Sequence, residues 1–163
     1  MYHIKQTQDT QINTLYEIVR QWPEVWTKDL DSMGYLDFVV YFKSSIVDSV
    51  VAVGDDEKDI LAWAYTAYLQ PKNWCDMVVF RNVGAKSPDF LNLAHDAMDY
   101  FFNTHELKAI RAFIREDNLN ALNIMELLGF KEDGTLRSYK KINEVWKNYI
   151  IHSLLNEERS WLH

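Results

Sequence analysis

Apolar residues recur along this chain with two different periods, and the switches between them outline a mixed α/β architecture. The clearest stretch runs from Phe90 to Phe101, where Phe90, Leu93, Ala94, Ala97, Met98 and Phe101 follow the i, i+3, i+4, i+7 spacing of one buried helical stripe. Ser87 offers an N-cap, Pro88 suits the first helical position and Asp89 complements the helix dipole. Just ahead, Met77 to Phe80 is a continuous apolar run, the mark of a buried central strand. Behind it, Ile110, Ala112 and Ile114 alternate as a strand does. Asn118 then caps a helix whose apolar face is Ala121, Ile124, Met125 and Leu128. Gly129 followed by Phe130 predicts a Schellman stop with its hydrophobic contact. Two further strands are expected around Thr135 to Ile142 and Tyr149 to Leu155.

The N-terminal half is less regular. Tyr2 to Thr7 reads as a short edge strand, and Asp9 and Thr10 offer caps for a helix carrying Leu15, Ile18 and Val19 that ends at Pro23. Between Val25 and Ser45 helical spacing is mixed with a β-prone run, Phe38 to Phe42. Val50 to Val53 and Ile60 to Leu69 form an expected antiparallel hairpin across a Gly54-Asp55-Asp56 turn. Leu61, Trp63, Tyr65, Ala67 and Leu69 should share one face of its second strand. The order is strand, helix, strands, then strand-helix-strand-helix-strand-strand, which is an α+β mixed sheet and not a doubly wound one. No repeat, low-complexity tract or Pro/Gly-rich linker interrupts it, so residues 1–163 are expected to form a single domain.

Composition narrows the function classes. With 48% hydrophobic and 25% charged residues the chain reads as soluble and globular, and 14% aromatics predict a core rich in rings. A formal charge of -7 argues against nucleic acid, whose phosphates need clustered Lys and Arg, and favours amines or basic partners. The single cysteine, Cys75, excludes an internal disulfide and a Cys-based zinc site. No apolar run has membrane-spanning length, and the N-terminus lacks a signal-peptide layout, so a cytoplasmic protein without membrane association is expected.

One constellation resembles a known family. Asn118 to Phe130, NLNALNIMELLGF, is similar to the signature of the GNAT (GCN5-related N-acetyltransferase) superfamily: Asn, two variable residues, Ala, an apolar helix and a Leu-Gly-Phe ending. AIRAFIRED before it looks like that family's preceding strand. EDGTLRSY and NYIIHSLLNEERSW after it look like the closing strands and tail of the ribosomal-protein alanine acetyltransferase subgroup. The resemblance covers roughly Met77 to Trp161 and implies a GNAT-like fold with a central, mostly antiparallel, splayed sheet flanked by helices. It implies acetyl-CoA as cofactor, lying in a V-shaped gap beside the strand through Val78 and Val79. The pyrophosphate would sit at the N-terminus of the helix starting near Ser87, where free amides and the dipole attract anions. Asn118 matches a position that often holds the pantetheine arm, though it serves equally as a plain helix cap.

The chain departs from the family at the pyrophosphate loop. Arg81 and Gly84 match the usual Arg/Gln-x-x-Gly-x-Gly/Ala pattern, but Lys86 stands where the last Gly or Ala is expected. A side chain there obstructs close approach to phosphate, and Pro88 removes one N–H. Ala85 and Ser87 complete the expected loop, with Arg81 and Lys86 able to compensate by charge. The usual catalytic Tyr of the signature helix is replaced by Met125, which cannot donate a proton. Asp76 or Glu116 could act as general base, leaving the catalytic residues unassigned. The expected activity is acyl transfer from acetyl-CoA to an amine, either a protein N-terminus or a small molecule. The alternative is a catalytically silent GNAT-like assembly protein, forming a homo-oligomer or part of a larger structure such as the virion of a short-tailed bacteriophage.

Other features read as structural. His95 and Asp99 at i, i+4 look like a surface pair and not a metal site, Cys75 like a small buried residue, and Asp55-Asp56-Glu57 like an acidic loop tip. Trp22, Trp26 and Tyr35 either close the core or gate a substrate.

Overall fold

A computed structural model of the protein describes residues 2–22, 34–54, 59–83 and 90–159. Strand β1 (Tyr2–Gln6) is followed by a 3-10 turn (Asp9–Gln11) and helices α1 (Ile12–Arg20) and α2 (Tyr35–Ser45). Strands β2 (Asp48–Gly54), β3 (Ile60–Gln70) and β4 (Trp74–Arg81) come next. Helix α3 (Phe90–Thr104) leads to β5 (Ala109–Arg115), and α4 (Leu119–Leu127) leads to β6 (Lys131–Ile142) and β7 (Val145–Leu155). The seven strands form one sheet in the order β1-β2-β3-β4-β5-β7-β6. Every neighbouring pair is antiparallel except β4–β5, whose connection passes through α3, the crossover that parallel strands require.

Buried clusters lie on the two faces of this sheet. Ile12, Leu15, Ile18 and Val19 of α1 and Phe38 of α2 pack with Val51, Val53, Trp63, Tyr65 and Phe80. Ala94, Ala97, Met98, Phe101 and Phe102 of α3 pack with Val50, Ala64, Cys75, Met77 and Ile110. The predicted stripe of α3 is thus buried on the sheet, with Phe102 added and Phe90 only partly covered. Cys75 is fully buried, and desolvation pushes its thiol up to about 12, so it stays a small neutral core residue.

In the N-terminal half one open reading is resolved and two expectations are corrected. The β-prone run Phe38 to Phe42 is helical: at i, i+3, i+4, Phe38, Tyr41 and Phe42 meet the rings of Trp63 and Tyr65. Packing of that face overrides the strand preference of the individual residues. Asp9 and Thr10 do not cap α1; they lie in the 3-10 turn, where Gln8 and Gln11 reciprocally bond instead. Nor do the five alternating residues of β3 share a face. Bulges at Leu61 and Ala67 reverse the alternation twice, so Trp63 and Tyr65 face α1 and α2 while Leu69 packs with the α3 cluster. Trp26, the Asp55-Asp56-Glu57 tip and Trp161 lie outside the described residues.

The end of α4 follows its sequence closely. Gly129 adopts φ +80°, its N–H donates to the Glu126 carbonyl at 3.0 Å, and the Phe130 N–H donates to the Met125 carbonyl at 2.9 Å. Those are the two bonds of a Schellman motif, and only glycine enters that conformation at no steric cost.

Candidate functional site

The β4–β5 ladder is short. Its rungs are Trp74↔Ala109, Cys75↔Ile110 and Asp76↔Arg111, and none follows. Beyond Asp76, β4 stays zipped to β3 as far as Arg81↔Ala62, while β5 stays zipped to β7 as far as Arg115↔Tyr149. The two halves of the sheet therefore part, each keeping its outer neighbour. The β3 bulge at Ala67 lies between Thr66↔Met77 and Tyr68↔Asp76, level with the point of parting. Bulges bend a strand and increase its twist, which is what separating β4 from β5 demands.

A cavity of about 400 Å³ occupies the opening. Met77 to Phe80 form one wall and Ala112 to Arg115 the other, with α4 contributing Asn118, Ala121, Ile124 and Met125. Val78 packs toward the α1–α2 cluster and Val79 toward the α3 cluster, so the cavity runs between the two faces of the sheet. The β4 backbone groups facing β5 beyond Asp76 have no strand partner there. An unpaired strand edge in an apolar cleft is a place for an extended ligand to bond as an added strand.

The remaining sequence-predicted residues are distributed unevenly. Asn118 caps α4, its Oδ1 accepting from the Ala121 N–H at 3.2 Å, and it also lines the cavity. Arg81 ends β4 with its side chain exposed, and its carbonyl accepts from Trp22 Nε1 at 2.6 Å. That bond ties Trp22 to the body, while Tyr35 meets the ring of Tyr16 at 5.5 Å. Gly84, Ala85, Lys86 and Ser87, together with Pro88 and Asp89, lie outside the described residues. Met125 lines the cavity as expected of an apolar filler.

Of the two candidate bases, the fold brings only Asp76 to the site. Glu116 is exposed and accepts from Asn148 Nδ2 at 2.9 Å. Asp76 is the one carboxylate among the described residues lining the cavity, at the apex where the strands part. Arg111 holds it through Nε at 2.9 Å and Nη2 at 2.8 Å, and the guanidinium lies 3.5 Å from the centroid of the Trp74 ring. Burial raises the Asp76 pKa above the ordinary carboxylate value, and the Arg111 bond and charge pull it partly back.

The sequence reading missed the polar lining on the far side. Tyr41 and Tyr65 bring their hydroxyls within 3.3 Å of each other, and burial pushes both phenols upward, most strongly at Tyr65. Tyr139, Lys140 and Tyr149 enter from β6 and β7. Nothing in the local pattern marks these residues, because they converge only when the hairpin and α2 close around the split strands. Asp99, half of the His95–Asp99 pair, also accepts from Arg159 Nη1 at 2.6 Å in a partly buried ion pair. Among the described residues no group of three ligand side chains could hold a metal ion.

A mixed seven-stranded sheet split between its fourth and fifth strands, with α3 crossing over, is the fold of the GNAT acetyltransferases. Solved structures that the chain resembles share it over nearly their whole length. The spermidine N-acetyltransferase of Vibrio cholerae, in complex with CoA and spermine, superposes with TM-score 0.81 at 13% identity, covering 97% of both chains. An N-acetyltransferase of Staphylococcus aureus gives 0.73 at 12% identity, over 95% of this chain and 98% of the other. The yncA protein of Salmonella typhimurium, solved with acetyl-CoA, gives 0.72 at 10%, over 98% and 96%. In sequence, the chain is 33% identical over 61 residues to the probable N-acetyltransferase YjcK of Bacillus subtilis, a stretch covering 37% of this chain and 34% of that protein. No family model matches the chain. No described helix is long and apolar enough to cross a membrane.

Proposed function

We propose that this protein binds acetyl-CoA in the cleft between β4 and β5 and transfers the acetyl group to an amine. The observation that carries this reading is the early end of the β4–β5 ladder, which leaves a strand edge free beside an open apolar cavity. The residues present fit an extended pantetheine: the β4 edge offers backbone partners, and Val79, Ala121 and Met125 offer an apolar channel. Arg81, Gly84, Ala85, Lys86 and Ser87 would meet the phosphates and Asn118 the pantetheine arm. When bound, acetyl-CoA supplies the thioester as acyl donor.

The chain's own groups divide the remaining work. β4 amides beyond the last rung with β5 would polarise the acyl carbonyl, a contribution that requires no reorganisation during reaction. Asp76, the carboxylate at the apex of the cleft, would take the proton from the acceptor's ammonium, leaving the neutral amine to attack the thioester carbonyl and expel the thiolate. The neutral Tyr41–Tyr65 pair lines the cleft and would stand in for the proton donor that Met125 cannot be. The acceptor is a small-molecule amine or a protein N-terminus, the latter suggested by the resemblance to the ribosomal-protein alanine acetyltransferases. The reading of the chain as a silent assembly protein is less favoured, because that role gives no reason for the cleft to stay open.

Isothermal titration with acetyl-CoA, followed by thiol release over a panel of amines, tests the proposal. Saturable one-to-one binding and amine-dependent thiol release support it; absence of heat at millimolar acetyl-CoA overturns it.

A further inference from the structure

One charge in the cleft wall is left unmatched. Asp76 faces Arg111, and Arg115 pairs with Asp117, which also accepts from Lys147 Nζ at 2.9 Å. Lys140 lines the same cavity, its ammonium 5.4 Å from the Tyr139 ring centroid and 5.7 Å from that of Tyr149. Among the described residues no carboxylate lies in ion-pair range of it, and loss of water alone pulls its pKa below the usual lysine value. A half-buried ammonium over aromatic faces gains some cation–π attraction, but it still lacks an anion to offset its lost hydration.

The placement of Lys140 is built into the hairpin. Leu136 pairs with Tyr149 and Lys140 with Lys147, so three residues of β6 stand against Asn148 alone. Within this bulge Ser138 takes φ +47°, a conformation that costs a non-glycine residue about 1 kcal/mol. Asn148 holds it there: its Oδ1 accepts from the Ser138 N–H at 2.8 Å, while its Nδ2 donates to Glu116. Bulges of this sort redirect side chains, and this one delivers Tyr139 and Lys140 to the cavity.

Resting on the acetyl-transfer reading above, we infer that Lys140 binds a carboxylate of the acceptor, so that the preferred substrate is an amine that also carries an acid group. The coenzyme's phosphates are a poorer partner for it. They are expected at the end of β4, and the β6 backbone stands three strand spacings away in the sheet order, roughly 14 Å. An acceptor with a second cationic end, by contrast, would bring like charges together in a low-dielectric cleft. Tyr139 and Tyr149 beside Lys140 would cover the apolar part of the acceptor between its amine and its acid.

The test pairs acids with their acid-free counterparts: L-phenylalanine with phenethylamine, and 4-aminobutyrate with butylamine, each with acetyl-CoA as donor. The acid member is expected to win in kcat/KM by about tenfold or more, the usual worth of a hydrogen bond between charged partners. Lys140→Met should collapse that ratio toward one, and Lys140→Arg should keep most of it. A second readout does not depend on turnover. In protein whose lysines are reductively ¹³C-methylated, the Lys140 signal, assigned by its loss in Lys140→Arg, should move with the two acids and not with the two plain amines. If acetyl-CoA fails to bind yet that signal responds to the acids, the acyl-transfer reading falls and the anion site stands. A ratio unchanged by Lys140→Met, or a Lys140 signal that millimolar acids leave unmoved, overturns the inference. So does a loss of acetyl-CoA affinity in Lys140→Met as large as the loss for the acids, since the anion would then belong to the coenzyme.

Discussion

Asp76 and Arg111 are partners on the last rung of the β4–β5 ladder, and their side chains meet at 2.8 Å directly above the point where the strands part. This pair closes the apex of the cleft, and its guanidinium lies over the Trp74 ring. One contact thus links the splay of the sheet to the only acidic group among the described cavity residues.

Asp76→Asn should lower kcat by about a hundredfold, within the usual range for losing a general base. Acetyl-CoA affinity should hold within about threefold, because Asp76 is not among the proposed coenzyme contacts. The acidic limb of the wild-type rate profile should lie above the ordinary carboxylate value, and the variant should lack it. Steady-state rates from pH 4 to 9 check both.

The same group makes a signed stability prediction. Because burial raises the Asp76 pKa in the folded state, the native protein holds this proton more tightly than the unfolded chain does. Its contribution to stability therefore declines as pH rises from the unfolded value, near 3.8, through the raised folded one. Urea titrations across that window should show stability falling less, or rising more, with pH in Asp76→Asn than in wild type.

Asn118 has two roles that substitution separates. Asn118→Ala removes the cap on α4 and should cost about 1 kcal/mol. Asn118→Asp keeps an acceptor oxygen for the Ala121 N–H and should retain most of that stability. A fall in acetyl-CoA affinity in both variants identifies Nδ2 as a coenzyme contact; a fall in Ala alone shows that the residue acts through the helix.

Gly129→Ala should destabilise by about 1 kcal/mol through conformation alone. The added Cβ would meet nothing nearer than Leu154 Cδ1 at 3.9 Å, but the residue must hold φ +80°. Thermal melts check this, with Gly129→Asn expected to be milder because Asn tolerates that region better.

Val79→Trp should fill the cleft. Because the side chain has open space to enter, stability should change by about 1 kcal/mol or less. Acetyl-CoA binding should weaken by at least about tenfold if the cavity is its berth. Titration calorimetry on the folded variant gives the answer.

The amino-acid sequence by itself determined the C-terminal half of this protein. The stripe of α3, the alternation of β5, the Asn118 cap and the Gly129 stop are local signals, each set by residues within a turn or two of one another. They also carried the family resemblance and the expectation of a splayed sheet; the strand through Val78 and Val79, expected to be buried, is only half-buried at those residues because they line the cleft. The tertiary structure decided what local pattern cannot encode. Phe38 to Phe42 became helical because Trp63 and Tyr65 were there to pack against, and the bulges of β3 and β6 reversed or redirected their faces by one irregular residue or a few. Sheet order separated Asp76 from Glu116, and the β6 bulge set Lys140 beside Tyr149 across the β6–β7 hairpin. Such convergence depends on register and sheet order, which arise from many long-range pairings at once and leave no mark in the spacing of neighbouring residues.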